Sequence, residues 1–171
     1  IVVGEDQLSR VTRTRLSMRN LSHAQGLATL YEVWALRCLE TPRPVVDRAG
    51  VTVLAAAAGL DGWIHLIDVS AEGPEEYRLV VHADQVARVR GTDLTSRRFG
   101  DWALAAHSRL MQEDFAEVKR HGLPELHLVR NRYSGTARTI SSDLTGSEYL
   151  RLILPASTDG RRLDRLVVGV Q

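Results

Sequence analysis

"RLILPASTDGRRLDRLVVGV", residues 151–170, is the stretch whose reading decides the fold. Side chains alternate across an extended strand, so Leu150, Leu152 and Leu154 share one face and Leu166, Val168 and Val170 share one on the returning segment. Asp159-Gly160 between them carries turn chemistry: glycine tolerates positive φ, and aspartate bonds its own backbone. The pattern predicts an antiparallel hairpin. Arg161, Arg162, Asp164 and Arg165 then fall at the turn and at outer positions, where charge discourages edge pairing. The charges read as scaffolding, not as a site.

Upstream of the hairpin, "ELHLVRNRY" at 125–133 and "EYLRLILPA" at 148–156 read as strands, and "SGTARTISSDLTG" between them as a loop or an extra strand. A long helix is expected from Arg97 to Arg120. One of its stripes holds Phe99, Trp102, Ala103, Ala106 and Leu110, the adjoining one Leu104, Met111, Phe115 and Val118, and Gly122 and Pro124 end it. Before the helix, "RVRGTDLTSRRF" is a turn-rich crossing. "WIHLIDVS" at 63–70 and "YRLVVHADQV" at 77–86 form a second predicted hairpin, broken by "EGPEE".

Toward the N-terminus the period lengthens to that of helices. Leu27, Leu30, Tyr31, Trp34 and Cys38 give an amphipathic helix from Ser22 to Glu40, ended by "TPRP" at 41–44. Asp47 is placed to cap a short helix carrying Val51, Leu54, Ala55 and Ala58, and Gly59 to end it. Residues 5–19 have loose helical spacing at Leu8, Val11 and Arg15 and read as a solvated helix or arm. The organisation is thus an N-terminal arm or helix at 1–20 and one domain at 21–171. Strand runs separated by helices argue for α+β with an antiparallel sheet rather than for βαβ units.

Bulk composition narrows the functions. The 171 residues are 44% apolar and 25% charged, as in one ordinary globular domain. The net charge of +1 points to neither nucleic acid nor a membrane surface as partner, and acidic residues interleave with arginines 78, 88, 90, 97 and 98. Cys38 is the single cysteine, which excludes an internal disulfide and points to a reducing cytoplasm. No apolar run approaches the ~18 residues of a membrane span. The opening "IVVGEDQLSR" has no basic region followed by a long apolar core, so no secretory signal is expected, and it does not begin with Met.

Catalytic motifs are missing: no GxSxG, Walker A, GxGxxG or HExxH occurs. The six histidines, at 23, 65, 82, 107, 121 and 127, contain no i, i+4 pair, so a metal site would need ligands far apart in sequence. His65 and His127 read as core-edge or surface residues within strands. His82 stands out because it ends a strand where the chain turns across the sheet. No catalytic residue, metal ligand or cofactor is assigned.

Four segments, in order, resemble the compact single-domain PAS-like family widespread in alphaproteobacteria. "LYEVWALRCLETPRPVVDRAGV" is similar to its opening helices, "WIHLIDVSAEGPEEYRLVV" to its first strand pair, "RGTDLTSRRFGDW" to its G-x-D-L-T-G crossing, and the 151–170 hairpin to its closing one. The chain departs from the family at His82-Ala83, where Gly and Thr or Ser are usual, and at Ser96, where Gly is usual. The resemblance implies a PAS fold: a five-stranded antiparallel sheet in the order 2-1-5-4-3, helices across one face, and additional N-terminal helices. It also implies a sensory or regulatory role without catalysis, exercised through ligand binding, dimerisation or contact with a protein partner.

A ligand cavity would then lie between the sheet and the crossing plus long helix. Its lining would be Leu79, Val81, Phe99, Trp102, Ala106, Leu152 and Leu154, with Tyr77, His82, Arg90 and His127 orienting a small molecule. The alternative is a pure dimerisation or interaction module with a filled core, using Leu27, Tyr31 and Trp34 as its surface. A third reading is a small enzyme of the cyclase or isomerase type, which would require a pocket with a paired His and Asp.

Overall fold

The computed structural model describes residues 8–102, 105–133 and 148–171. The chain is α+β, built on an antiparallel sheet of six strands. The strands are β1 (Leu8–Leu16), β2 (Ile64–Asp68), β3 (Arg78–Val81), β4 (Glu125–Tyr133), β5 (Glu148–Ala156) and β6 (Arg165–Val170). Their spatial order is β1-β4-β5-β6-β2-β3. The helices are α1 (Gln25–Cys38), α2 (Arg48–Ala58), α3 (Asp84–Arg90) and α4 (Ala105–His121), with short 3-10 turns at Met18–His23, Pro74–Glu76 and Phe99–Asp101.

The closing hairpin forms as its alternation predicts. β5 pairs with β6 from Arg151↔Val170 to Ala156↔Arg165. Ser157 Oγ accepts from the Asp159 and Gly160 N–H groups, and Asp159 Oδ1 accepts from those of Arg161 and Arg162. These bonds hold the Asp159 carboxyl far below its usual range. Asp164 closes the turn on Thr158, accepting from its N–H at 2.8 Å and its hydroxyl at 2.5 Å.

Because β6 lies between β5 and β2, both of its faces are covered. Val167 packs on one side with Leu27 and Leu30 of α1, Leu54 of α2, Leu66, Leu126, Leu152 and Leu154. Leu166 and Val168 pack on the other with Ile67, Leu79, Phe99, Ile153 and the α4 residues Met111, Phe115 and Val118. The expectation of helices on one face is therefore corrected: α1 and α2 cover one face and α4 the other. A Cβ on Gly169 would stand 2.6 Å from Leu30 Cδ2, so glycine is what lets α1 approach β6.

Several local expectations change. Residues 8–16 form neither helix nor loose arm but strand β1, paired along β4 from Leu8↔Tyr133 to Leu16↔Leu126, so the sheet has six strands and not five. Alternation places Arg13 and Arg15 on the α4 side, where buried carboxylates meet them. The second strand stops at Val81, and Asp84–Arg90 is helical, ending on Gly91 at φ 74°. The long helix starts at Ala105, after the 3-10 turn at Phe99. α1 starts at Gln25, preceded by a 3-10 turn that includes Ser22, the expected start of the helix. In α2, by contrast, Asp47 accepts from the Gly50 N–H at 2.7 Å and Gly59 ends the helix at φ 66°, as read. Residues 134–147, read as a loop or an extra strand, and Ala103 and Leu104, expected on the long helix, lie outside the described residues.

Candidate functional site

The face of the sheet under α4 changes character along its length. Near β3 it is apolar, with Phe99 stacked on Trp102 at 4.3 Å and edge-on to Phe115 at 5.5 Å. Toward β4 and β1 it is charged although closed to solvent: Asp114, Glu125, His127 and Arg151 are 1–3% exposed. Alternation explains the placement. Arg151 faces the same way as Tyr149 and Ile153 on β5, and His127 lies directly across from it on β4. Asp114 descends from α4 one turn past Met111.

Asp114 sits between two guanidinium groups. Arg13 Nε donates to its Oδ1 and Arg151 Nη2 to its Oδ2. Arg151 Nη2 also lies 3.2 Å from His127 Nδ1, and His127 Nε2 lies 2.8 Å from Glu125 Oε2. Both imidazole nitrogens of His127 are thereby engaged. A pairing of His with Asp and Glu exists, yet it leaves no lone pair free to act as a base.

Four other histidines share one arrangement. His65 Nδ1 accepts from the Ala83 N–H at 3.0 Å, and His82 Nδ1 from the Leu94 N–H at 3.0 Å. His107 Nδ1 faces Arg90 Nη2 at 3.1 Å, and His121 Nδ1 accepts from the Leu123 N–H at 2.9 Å. A donor aimed at Nδ1 assigns the proton of a neutral ring to Nε2, as in His65 and His82; Arg90 also reaches His107 Nε2 at 3.5 Å, and Arg15 reaches His121 Nε2 at 3.3 Å. Burial lowers the pKa of His65 and of His107 well below the ordinary value, and Arg90 and Arg151 push both further down. Burial and then Arg90 hold His82 at about 4, against a partial pull upward from Asp93. Burial and Arg151 also lower His127.

Among the described residues, five buried side-chain atoms have no hydrogen-bond partner. Three of them are donors in this region: Trp102 Nε1, Arg151 Nε and Arg151 Nη1. The others are Arg165 Nε, at the start of β6, and one acceptor, Asn131 Oδ1, on β4. Leaving such groups unmatched in a protein interior is costly, so they mark where an outside group fits.

Glu117, His121 and Glu125 bring ligand atoms within 4.8 Å of one another, the spacing of a metal site. Their chemistry does not fit one. The Leu123 bond leaves His121 Nε2 protonated and 2.7 Å from Glu125 Oε1, an oxygen Arg15 also occupies. Arg120 takes both oxygens of Glu117. The cluster is a closed ion-pair network.

Of the residues expected at a site, Arg90, Trp102, His82 and His127 border the polar region. Arg90 lies over the Trp102 ring at 5.7 Å and bonds His107, His82 stacks on His65 at 5.3 Å, and His127 meets Arg151. Tyr77, Leu79 and Phe99 belong instead to the apolar half, with Tyr77 beneath Lys119. Leu152 and Leu154 point to the opposite face, Val81 packs with that face too, and Ala106 is exposed, so none of these four lines the region. Of the proposed surface residues Leu27 is buried, while Tyr31 and Trp34 are half-buried and stacked on each other, with Trp34 donating to the Pro155 carbonyl at 2.7 Å.

Arg151, Asp114, His107, His65 and Tyr149 were not anticipated as site residues. The signal was present for Arg151, an arginine on the strand face that alternates away from Leu150, Leu152 and Leu154. No family model, curated protein or solved structure matches this chain.

Proposed function

We propose that this chain is a PAS-type sensory or regulatory module, cytoplasmic and non-catalytic, that holds a small molecule between α4 and the sheet. The observation that carries the reading is the trio of buried, unpartnered donors on Arg151 and Trp102. A filled structural core has no reason to keep such groups unmatched.

Two features support the PAS half of the reading. Without β1 the strands run β3-β2-β6-β5-β4, which is second, first, fifth, fourth, third of those that remain. Ser96, at the position where the resembled family has glycine, adopts φ 68°, the left-handed conformation that glycine supplies at least cost. The crossing it belongs to also clamps His82: Leu94 N–H bonds its ring and Thr95 Oγ1 accepts from its backbone. The two departures from the family thus sit on one connected feature. The extra strand β1 and the helices on the second face are additions to that pattern.

Native mass spectrometry of gently purified protein, followed by thermal-shift screening of a metabolite panel, tests the reading. A retained small molecule or a saturable rise in Tm is expected. A clean apo mass with no stabiliser anywhere in the panel would defeat it.

A second reading, a dimerisation or partner-binding module, draws on Leu36 and Leu39 at the end of α1, which are 65% and 83% exposed. Changing both to glutamate and measuring the oligomeric state separates the readings: a monomer that becomes no more soluble and keeps its ligand response counts against this one.

A further inference from the structure

Resting on the proposal that a small molecule binds under α4, the geometry points to its chemical class: we infer that the site takes a carboxylate, received by Arg151 and Trp102. The unpartnered atoms on β5 and at the end of the 3-10 turn before α4 are N–H donors, namely Nε and Nη1 of Arg151 and Nε1 of Trp102, and the one unpartnered acceptor among the described residues, Asn131 Oδ1, lies farther along β4. The nearest free histidine nitrogen adds a donor: Nδ1 of His65 is taken by the Ala83 N–H, so its ring offers Nε2–H, while His107 is engaged by Arg90 and Tyr149. Tyr149, whose hydroxyl is 3.5 Å from His107 Nε2, stands beside Arg151 on the same strand face. A ligand that satisfies this region must therefore bring oxygen acceptors.

Charge selects among oxygen-rich groups. Asp114 is a single buried carboxylate bonded to both Arg13 and Arg151. Arg13 is a third exposed and lies 4.0 Å from Glu113 as well, whereas Arg151 is closed to solvent, shares Asp114, and keeps two N–H groups of its charged guanidinium unpartnered. A singly charged carboxylate gives those groups charge-assisted bonds, which are the strong kind. A neutral amide forgoes that assistance, and a dianionic phosphate brings more charge than one guanidinium balances. The Trp102 ring, next to Phe99 and under Arg90, gives the body of the ligand an aromatic wall.

The test is a titration of the ¹⁵N-labelled full chain with acetate and benzoate, against acetamide and benzamide as neutral isosteres and inorganic phosphate as the alternative oxyanion. The chain has three tryptophans, so the indole N–H signals are few, and Trp102→Phe assigns the one that matters. Saturable movement of the Trp102 Nε1–H signal and of the Arg151 Nε–H signal is expected with the carboxylates, at least tenfold weaker with the amides, while the Trp34 and Trp63 signals stay still. Trp102→Phe keeps the ring, and it should fold and bind benzoate about tenfold more weakly. Arg151→Gln, which removes the charge but keeps N–H donors, should abolish the preference for benzoate over benzamide, whereas Arg151→Lys should weaken binding and keep that preference.

Equal response to acid and amide, or response to phosphate alone, overturns the inference. If no probe moves these signals but native mass spectrometry finds a bound neutral compound, the carboxylate assignment falls and the ligand-binding reading stands. If neither experiment finds a ligand, both fall.

Discussion

The two faces of the sheet solve the same packing problem differently. Under α1 and α2 the buried residues are aliphatic almost throughout, from Leu27 and Leu54 to Leu154 and Val167. Under α4 the same strands turn His65, His127 and Arg151 inward. Burial of apolar area stabilises the first face by roughly 25 cal/mol per Å² with no demand on direction. The second depends on partners at fixed positions, and it lacks some of them. A protein that needs only to fold gains nothing from that second arrangement. On the proposed reading, the first face is scaffolding and the second receives the ligand.

The largest effect should come from breaking the charged face. Asp114→Ala leaves Arg13 and Arg151 facing each other without their shared carboxylate, and should cost about 3–5 kcal/mol in urea unfolding. On the aliphatic face, Leu30→Ala opens a void beside Gly169 and should cost roughly 2–5 kcal/mol. The two differ in what rescues them: Asp114→Asn, which keeps the shape without the charge, should recover little of the first cost, whereas Leu30→Met should recover most of the second. If Asp114→Asn were as stable as the native chain, the division between faces would lose its physical basis.

Gly169→Ala comes next. Its Cβ would press on Leu30 and Leu27, and a loss of about 1–3 kcal/mol is expected, readable as a lower urea midpoint with unchanged slope. As the pH falls through 6.5, acid should act first on the histidines of the polar face. His65, His82, His107 and His127 all have folded-state pKa values lowered below 6.5, so the unfolded chain binds more protons. Stability is fully present above pH 6.5 and falls as the pH drops toward 4. His82→Gln should flatten that slope; an unchanged slope would mean that His82 is not held neutral.

The smallest predicted effect is a gain. Ser96→Gly relieves a left-handed serine and should add about 1 kcal/mol. It would also show whether the crossing tolerates the residue usual in the resembled family.

The difference between the faces also explains what could be read in advance. The aliphatic side follows period rules, so the closing hairpin, the Asp47 cap and the Gly59 stop were all legible. β1 was not, because its inward residues are arginines rather than apolar ones. Their partners Asp114 and Glu125 lie 101 and 110 residues away in sequence. The same holds for the candidate site. Arg90, Trp102, His82 and His127 could be picked out as polar or aromatic residues near the crossing. Arg151 hid inside the most convincing strand of the chain, as a charge where alternation puts the interior. α3 was missed although Gly91 marks its end, because "YRLVV" set a strand period just before it.

The central claim is that Arg151 and Trp102 await an acceptor from outside the chain. A crystal structure grown in the presence of benzoate tests it most directly. The account predicts a carboxylate beneath α4, its oxygens about 2.7–3.1 Å from Arg151 Nε or Nη1 and from Trp102 Nε1. Those atoms bonded instead to the protein's own carbonyls, with benzoate elsewhere or nowhere, would contradict it.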